Sequence, residues 1–567
     1  MDLRRSVILI ALAVVSYMLI LAWNDDYGQA PAPQSTEKST TQSLQQSDLT
    51  DQTSTELALS NQSSSAQQDD FTVPEDKTAI ATGEHNQSSA EHQLIHVNTD
   101  VLDIKIDLKG GNIVSATMPN YKTHLGSDEP LSLLGTTNKH YVVESGLFGK
   151  DGFDSAKNGP MPRYQSEKTD YVLAEQEEVL QVDLKYQDQS GVNIIKRYEF
   201  KRDAYLIKVS YLIENKSKSS WTANLSGKIV RDQSPDPSVQ TSMGLQSFLG
   251  MALSSPEKPY EKYDFADLKE APINQEIQGG WLAFIQHYFL SAWIPSADQT
   301  HTYQSRFKNG LHLMGFISPA TEVAVGETET ISADLYIGPK IIERLEVIHP
   351  KLDLTVDYGW LFFVAYPLFY LLDIFHDLVS NWGVAIILVT IVIKALFFKL
   401  SAASYRSMAN MRRVAPKLKS LKDQYGDDRQ KMSQAMMELY KKEKINPLGG
   451  CLPILVQMPV FIALYWVILE SVQLRHAPFM FWIHDLSVKD PYFVLPILMG
   501  ISMYIQMQLN PAPPDPMQAK IMKIMPIAMT IFFLWFPSGL VLYWLVNNIL
   551  SISQQWYITR QIEKSSA

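Results

Sequence analysis

Cysteine is almost absent from this chain, since Cys451 is the only one among 567 residues. A single thiol cannot form an internal disulfide, which excludes a small secreted domain held by disulfides. Aromatic residues are missing from residues 28–70, where 24 of 43 residues are Gln, Ser or Thr. The net charge of −11 excludes a generic polyanion-binding protein. Residues 382–558, in contrast, contain several apolar runs long enough to cross a bilayer, so a purely soluble protein is excluded as well.

Sequence signatures of catalysis are also lacking. No Gly-x-x-x-x-Gly-Lys-Ser/Thr pattern for nucleotide phosphates occurs, and the region 94–345 has no Gly-x-Ser-x-Gly nucleophile turn. The histidines of that region are scattered without metal-ligand spacing: His96, His124, His140, His287, His301 and His312. We therefore expect no enzymatic activity, no cofactor, no metal site and no small-molecule substrate.

The N-terminus carries a long apolar run behind two arginines. Val7 to Trp23 corresponds to about 26 Å of helix, longer than a typical signal-peptide core. We interpret residues 1–23 as an uncleaved transmembrane anchor whose N-terminus stays in the cytoplasm; a cleaved signal peptide is the alternative. Residues 24–93 are predicted to be a disordered tether, because so polar a segment buries too little apolar surface to offset its ordering entropy.

Residues 94–345 show the period-two alternation of β-strands. Apolar residues alternate with charged ones from Leu102 to Leu108 and again from Tyr205 to Ile213, and Gly110-Gly111 marks a turn. This pattern predicts a large antiparallel β-sandwich outside the cytoplasm, in the periplasm. The aromatic stretch 279–295 is interpreted as core strand, with a binding groove as the alternative.

Charge distribution orients the second half of the chain. Residues 399–447 contain twelve cationic and five acidic side chains, a net charge of +7 that is typical of a cytoplasmic loop. If the N-terminus is also cytoplasmic, only one span can separate the β domain from this loop. We assign that span to residues 382–400 and interpret residues 346–381 as a linker with an interfacial amphipathic helix.

Four further spans follow the basic loop, at 452–469, 492–509, 521–536 and 540–558, with a short cytoplasmic tail at 559–567. The predicted fold is therefore a membrane α-helical bundle, an N-terminal anchor plus a five-helix core over 382–558, carrying the large β-sandwich domain. Within the core, residues 402–446 are predicted to form a cytoplasmic helical hairpin, with Asp427 or Asp428 capping its second helix. Its cations favour contact with ribosomal RNA or acidic lipid headgroups, or they only set the topology.

Several polar residues fall where lipid is expected. Lys394 lies inside a predicted span, at a cost of roughly 2.5–3.5 kcal/mol on insertion scales, which marks it as a candidate functional residue. Thr390 lies one turn away, and the last span carries a stripe of Tyr543, Asn547, Ser551 and Gln554. Gln457 adds a polar group on another span. Snorkelling of Lys394 is the alternative; matching polar groups on other helices favour a hydrated cavity open to the cytoplasm.

The core sequence resembles the YidC/Oxa/Alb family of membrane protein insertases, in particular its Gram-negative members. The likeness runs from about residue 94 to the end, plus the anchor. The residues that carry it are Asn446-Pro447-Leu448-Gly449-Gly450-Cys451-Leu452-Pro453, Gln457-Met458-Pro459-Val460-Phe461-Ile462-Ala463-Leu464-Tyr465, Phe481-Trp482-Ile483-His484-Asp485-Leu486, Leu534-Trp535-Phe536-Pro537-Ser538-Gly539-Leu540, and Gln286-His287-Tyr288-Phe289 to Pro295.

The resemblance implies an insertase that moves nascent hydrophobic proteins from the cytoplasm into the inner membrane, alone or with the Sec translocon. It implies a hydrophilic, cytoplasm-open groove with a basic residue, an Arg in the best-known members and Lys394 here. The groove residues expected by this reading are Lys394, Thr390, Gln457, Tyr543, Trp544, Asn547 and Ser551, and those of the hairpin are Tyr405, Arg412 and Arg413. Many relatives bind the ribosome through a long basic tail; this sequence stops at Ala567, and tail-mediated ribosome contact is not expected.

Two other functions fit parts of the sequence. A secondary transporter would also place polar residues at mid-membrane, but it should show a two-halves repeat with broken helices, and we find none. A membrane-anchored periplasmic protein, either carbohydrate-active or carbohydrate-binding, would need its chemistry within residues 94–345.

Overall fold

The computed structural model of the chain describes residues 93–155, 161–238, 247–425, 428–443, 452–510 and 516–566. The chain divides into two compact units, 1–67 and 68–567, and all described residues belong to the second. The predicted anchor at 1–23 and nearly all of the predicted tether at 24–93 lie outside the described residues.

The first part of the described chain consists of nineteen strands. They are β1 (Leu94–Asn98), β2 (Asp103–Asp107), β3 (Asn112–Lys122), β4 (Pro130–Leu134), β5 (Tyr141–Phe148), β6 (Gln165–Ser166), β7 (Asp170–Val172), β8 (Val179–Gln187), β9 (Val192–Lys201), β10 (Leu206–Asn215), β11 (Trp221–Arg231), β12 (Gly250–Ser254), β13 (Glu261–Tyr263), β14 (Asn274–Gln278), β15 (Trp281–Ile285), β16 (Phe289–Ile294), β17 (Thr300–Lys308), β18 (Leu311–Val323) and β19 (Thr328–Pro339).

These strands form two sheets that pack face to face. The first has the order β14-β17-β18-β11-β5-β3-β2-β1-β7, with β4 paired to β3, and the second has the order β13-β12-β15-β16-β19-β10-β9-β8-β6. Every described pairing is antiparallel except β1 with β7. Trp293 of the second sheet contacts Phe316 of the first, with ring centroids 6.0 Å apart. The predicted antiparallel sandwich is therefore confirmed.

Alternation places the predicted side chains in the core. Ile104 and Ile106 of β2 are fully buried, and Ile207 and Val209 of β10 are buried in the same way. The turn predicted at Gly110-Gly111 has positive φ at both residues, which glycine adopts without strain. In the aromatic stretch, every residue of β15 and β16 is buried, as a core-strand interpretation requires.

Ten α-helices are described. They are α1 (Phe265–Glu270), α2 (Ile342–Ile348), α3 (Phe362–Val379), α4 (Trp382–Leu396), α5 (Phe398–Tyr425), α6 (Arg429–Lys442), α7 (Leu452–Glu470), α8 (Val494–Gln508), α9 (Pro516–Phe533) and α10 (Ser538–Ser566). Short 3-10 turns occur at Asp353–Thr355, Gly359–Leu361 and Val472–Leu474.

Two predicted spans differ from the observed helices. The segment 382–400 was expected to be one helix, but α4 ends at Leu396 and the chain bends by 66° before continuing as α5. The bend turns α5 toward α10, where Gln554 donates to the carbonyl of Phe398 at 3.1 Å. At the other end, α10 runs on to Ser566, so the expected short tail after Ile558 is a continuation of the last helix.

Length and hydropathy identify candidate spans among the described residues. Gly359–Val379, which contains α3, is the one described helix that is long and apolar enough by itself, and α4 with α5 passes as a bent pair. Leu455–Glu470 and α8 are shorter apolar helices. The interfacial helix expected within 346–381 stays a prediction, because the length and composition of α3 also suit a span.

The β domain and the helical bundle are joined by a buried polar cluster at the end of α7. The carboxylate of Glu470 accepts from Lys340 Nζ at 3.1 Å and from Ser247 Oγ at 2.6 Å. His287 Nε2 lies 2.8 Å from the carbonyl oxygen of Leu469. Lys340 and Glu470 are each only 2% exposed, so this ion pair is shielded from water. We call these five residues the junction cluster.

The junction should weaken in acid. Burial lowers the pKa of His287 below its usual value near 6.5, although Glu470 and Asp236 oppose the shift. Below about pH 6.5, His287 of the unfolded chain therefore binds a proton while His287 of the folded protein stays neutral, and the free energy of unfolding decreases as the pH falls.

We expect a lower thermal midpoint at pH 5.5 than at pH 7.5, and a smaller decrease of the midpoint in the His287→Gln variant. His96→Gln at an exposed site is the control; an equal drop in all three proteins would contradict the assignment.

Candidate functional site

Lys394 lies near the end of α4 and is 8% exposed. Its Nζ donates to Ser551 Oγ of α10 at 2.6 Å. No acidic side chain of the described residues forms an ion pair with it. An ammonium group has three donors, so a single serine leaves most of its hydrogen-bonding capacity unused. The site therefore holds a buried cation with hydrogen-bonding capacity that the described residues do not use.

Helix α10 supplies the acceptor for this lysine. Ser551 accepts from Lys394 and itself donates to the backbone carbonyl of Asn547 at 2.7 Å, one turn earlier. Such bonding to the i−4 carbonyl is common for serine inside helices, and it fixes the hydroxyl oxygen toward the lysine. The Tyr405 hydroxyl of α5 faces the same Ser551 side chain. Of the predicted site residues, the structure thus brings together Lys394, Asn547, Ser551 and Tyr405.

The bend between α4 and α5 contributes polar groups that the sequence analysis missed. Ser401 and Ser404 are both buried on the first two turns of α5. The Ser401 hydroxyl has no hydrogen-bond partner within the described part of the chain. The signal in the sequence is a Ser-x-x-Ser spacing that begins seven residues after Lys394. A single straight span over 382–400 does not predict that these serines turn back toward the bundle.

Two predicted groove residues are buried and make contacts of their own within the bundle. Thr390 is fully buried, and its hydroxyl donates to the Ile386 carbonyl within α4 at 2.7 Å. Tyr543 is 1% exposed, and its ring lies 6.3 Å from that of Phe461 on α7. Among the described contacts, neither side chain meets Lys394.

Gln457 and Trp544 carry unsatisfied polar atoms. Gln457 Nε2 on α7 and Trp544 Nε1 on α10 are buried without a hydrogen-bond partner among the described residues. The Trp544 ring makes edge contacts with Phe461 at 4.7 Å and is tilted against Phe533 at 5.3 Å. Because unpaired buried donors are costly and rare, these two atoms are the polar groups of the predicted groove that the described residues leave unsatisfied.

A second polar edge of α10 faces α8 and was not singled out from the sequence. Asn548 donates to Ser502 at 3.0 Å, and Gln555 donates to the Leu509 carbonyl at 3.2 Å. The seven-residue spacing of Asn548 and Gln555 is the signal that could have revealed it. This edge holds α8 against α10, whereas the edge with Asn547 and Ser551 faces α4 and α5.

The basic hairpin consists of α5 and α6. Asp428 caps α6 by accepting from the backbone amides of Gln430 and Lys431, which confirms one of its two predicted caps; Asp427 lies outside the described residues. Arg412 and Arg413 are exposed on α5. Most cationic side chains described here face solvent, as a surface for anionic partners would require.

One group of possible metal ligands occurs among the described residues. Asp373, His376 and Asp377 on α3 have ligand atoms within 4.8 Å of one another. The His376 ring stacks on Trp382 at 3.9 Å. Exposed acidic groups of this kind are common without a metal, and the cluster lies outside the site around Lys394.

Comparison with known proteins covers both halves of this architecture. A family model described as "YidC periplasmic domain" matches residues 94–371, and one described as "60Kd inner membrane protein" matches residues 374–565. "Membrane protein insertase YidC" of Marinobacter nauticus is 58% identical over 100% of this chain and 99% of its own length. The chain belongs to the YidC/Oxa/Alb family of membrane protein insertases.

A second relative agrees with this assignment. The insertase of the same name from Hahella chejuensis is 55% identical over 99% of this chain and 98% of its own length. A solved structure described as "Active YidC insertase crystal structure with the first transmembrane domain resolved" covers 82% of this chain and 93% of its own, with 18% identity and a TM-score of 0.37. The resemblance drawn from the motifs is confirmed, and neither a transporter nor a periplasmic carbohydrate protein is favoured.

Proposed function

We propose that this chain inserts nascent membrane proteins by offering the buried ammonium of Lys394 to the polar segment that must cross the bilayer. The observation that carries the proposal is a lysine that contacts Ser551 at 2.6 Å and has no acidic partner in the described part of the chain. An acidic tail of the substrate supplies the missing anion. Ser551, Asn547, Gln457 and Trp544 then replace part of the water that the tail loses.

Electrostatics and desolvation together decide the direction of transfer. Crossing the apolar interior is opposed mainly by the loss of water around polar groups, and hydrogen-bonding groups along the helices lower that cost. A negative tail also gains about 2.3 kcal/mol per charge per 100 mV when it moves outward. The apolar segment behind it then moves into lipid and releases hydrophobic free energy.

Short helices support the same proposal. Helices α4 and α8 have 15 residues each, or about 22 Å at 1.5 Å per residue. A typical hydrocarbon core is about 30 Å thick, so the bilayer should thin around these helices. A thinner barrier shortens the apolar path between the two aqueous faces.

The orientation that we propose places both termini and the basic hairpin in the cytoplasm and the β domain in the periplasm. Charge supports it, since exposed Arg412 and Arg413 lie on the hairpin that precedes α7, whereas the junction cluster lies at the end of α7. The contacts of the segment 475–490 agree: Arg475 donates to the Lys122 carbonyl of the β domain at 2.7 Å, and Ser538 Oγ donates to the Asp485 carbonyl at 2.9 Å. The β domain, this segment and the turn before α10 therefore lie at one end of the bundle.

The partners are those that the family implies. Nascent inner-membrane proteins are the substrates, and the Sec translocon is the partner for larger ones. The hairpin faces ribosomal RNA or acidic lipid headgroups, both of which offer phosphate to its cations. The mechanism includes no bond cleavage, so we propose no enzymatic activity.

Two serines of α10 allow a matched test. Ser551 and Ser553 each donate to the carbonyl four residues earlier, at 2.7 Å and 2.9 Å, but only Ser551 contacts Lys394. A hydrogen bond to a charged group is worth about 1.5–3 kcal/mol. We expect Ser551→Ala to lower insertion of a small acidic-tailed single-span protein by about tenfold in proteoliposomes, and the exposed Ser553→Ala to leave it unchanged. Equal insertion by both variants would refute the proposed site.

A further inference from the structure

Three separate segments of the β domain converge on one carboxylate of the bundle. Ser247 precedes β12, His287 lies in the turn between β15 and β16, and Lys340 follows β19. Ser247 and Lys340 bond to Glu470, and His287 Nε2 lies 3.9 Å from the same carboxylate. Glu470 is the last residue of α7, so all three segments hold the same helix end.

Neighbouring contacts reinforce this end of α7. The Tyr358 hydroxyl lies 3.0 Å from Ser471 Oγ, directly after the helix. Four residues further, Arg475 donates to the carbonyls of Lys122 and Thr123 at 2.7 Å and 3.0 Å. The Arg475 guanidinium also lies 5.9 Å from the rings of Tyr288 and Phe289. The junction end of α7 is therefore attached to the β domain through several independent polar contacts.

The same helix carries side chains of the proposed insertion site. Gln457 lies on its first half with an unpaired amide nitrogen, and Phe461 packs against Trp544 at 4.7 Å. Helix α7 continues without a break across its internal Pro459, so a tilt or rotation at Glu470 displaces Phe461 directly and also moves Gln457, which lies before the proline. A buried ion pair tolerates little change in geometry, because each charge needs its partner to offset its lost hydration.

We propose that Lys340 is a positioning residue for insertion: through its buried ion pair with Glu470 it sets the orientation of α7, and with it Gln457 and Phe461. The proposal rests on the insertion site described above. It gives the β domain a role in aligning the helical bundle.

Charge variants test this role in the full-length protein. Lys340→Met leaves Glu470 buried without its cation, and Lys340→Glu with Glu470→Lys restores the pair in reverse order. Lys262→Met is the matched control, because Lys262 pairs with Asp357 at 2.8 Å but both side chains are partly exposed, at 43% and 29%. Single spin labels at exposed Val325 of the β domain and exposed Leu455 of α7, in a Cys451→Ser background, report the orientation of α7.

We expect Lys340→Met to lower the maximal insertion rate in proteoliposomes by about tenfold or more, with little change in the half-saturating substrate concentration. The distance distribution between the two labels should broaden, the reversed pair should recover both readouts, and Lys262→Met should change neither. A broadened distribution with normal insertion would overturn the proposal, and so would lost insertion with an unchanged distribution. If Ser551→Ala inserts normally while Lys340→Met does not, the site proposed around Lys394 fails and the role of α7 orientation stands.

Discussion

Lys394→Glu should abolish most insertion of acidic-tailed substrates. The buried ammonium contacts Ser551 and has no acidic partner among the described residues, so reversing its charge replaces attraction of an incoming carboxylate by repulsion. Losing one hydrogen bond to a charged group costs about 1.5–3 kcal/mol, which corresponds to about a tenfold to hundredfold loss. The measurement is the protected fraction of a small single-span substrate inserted into proteoliposomes.

Two comparisons make this expectation specific to charge. Lys394→Arg keeps the cation and should retain most insertion, although its planar guanidinium differs from an ammonium in geometry. A substrate with a neutral tail should be affected much less by Lys394→Glu than one with an acidic tail. If the Glu variant inserts the acidic-tailed substrate at the normal level, the electrostatic part of the mechanism is wrong.

The second large effect is expected on stability, at Asp490. This carboxylate is 1% exposed and accepts from Trp482 Nε1 at 3.0 Å, from the Tyr492 amide at 3.0 Å and from the Leu495 amide at 2.7 Å. It thereby joins the loop before α8 to the first turn of that helix. Asp490→Ala leaves these donors without their acceptor, at about 1–3 kcal/mol for each buried group. We expect a loss of about 4 kcal/mol in unfolding free energy and a clearly lower thermal midpoint in detergent.

The Asp490→Asn variant separates the effect of the charge from the effect of side-chain size. It keeps an acceptor oxygen and the size of the side chain while removing the charge, so it should lose less than half as much stability as the alanine variant. Asp128→Ala, at a fully exposed carboxylate paired with Lys122, should have almost no effect. A thermal midpoint of Asp490→Ala equal to that of the wild type would show that the three hydrogen bonds contribute little.

The β domain was predictable because its signal is local. In a strand, successive side chains point to opposite faces, so the alternation from Leu102 to Leu108 records which face is buried without any knowledge of the partner strand. The order of the strands, in contrast, was not predictable from local sequence. The pairing of β1 with β7, the one parallel pair described, joins segments about seventy residues apart, and nothing in either segment indicates the other.

The insertion site was predictable in its residue types and less so in its geometry. Lys394 was identified because a cation in an apolar run is costly, and Ser551 because it lies on a polar stripe. The stripe did not show that Thr390 bonds within its own helix, or that Tyr543 packs against Phe461. The bend at Phe397 could not be predicted from the sequence either, since no proline or glycine lies next to it.

Local patterns are enough to predict the strand and helix types, the basic hairpin and the lysine that lies among apolar residues, because each follows from the periodicity or charge of neighbouring positions. The contacts of Lys394 with Ser551, 157 residues later, and of Lys340 with Glu470, 130 residues later, arise only when distant segments pack together. Burial removes water from each charge, and the charge then needs a partner from whichever segment the fold places beside it. That partner depends on helix packing and on the bend after α4, and neither of these can be predicted from a local sequence pattern.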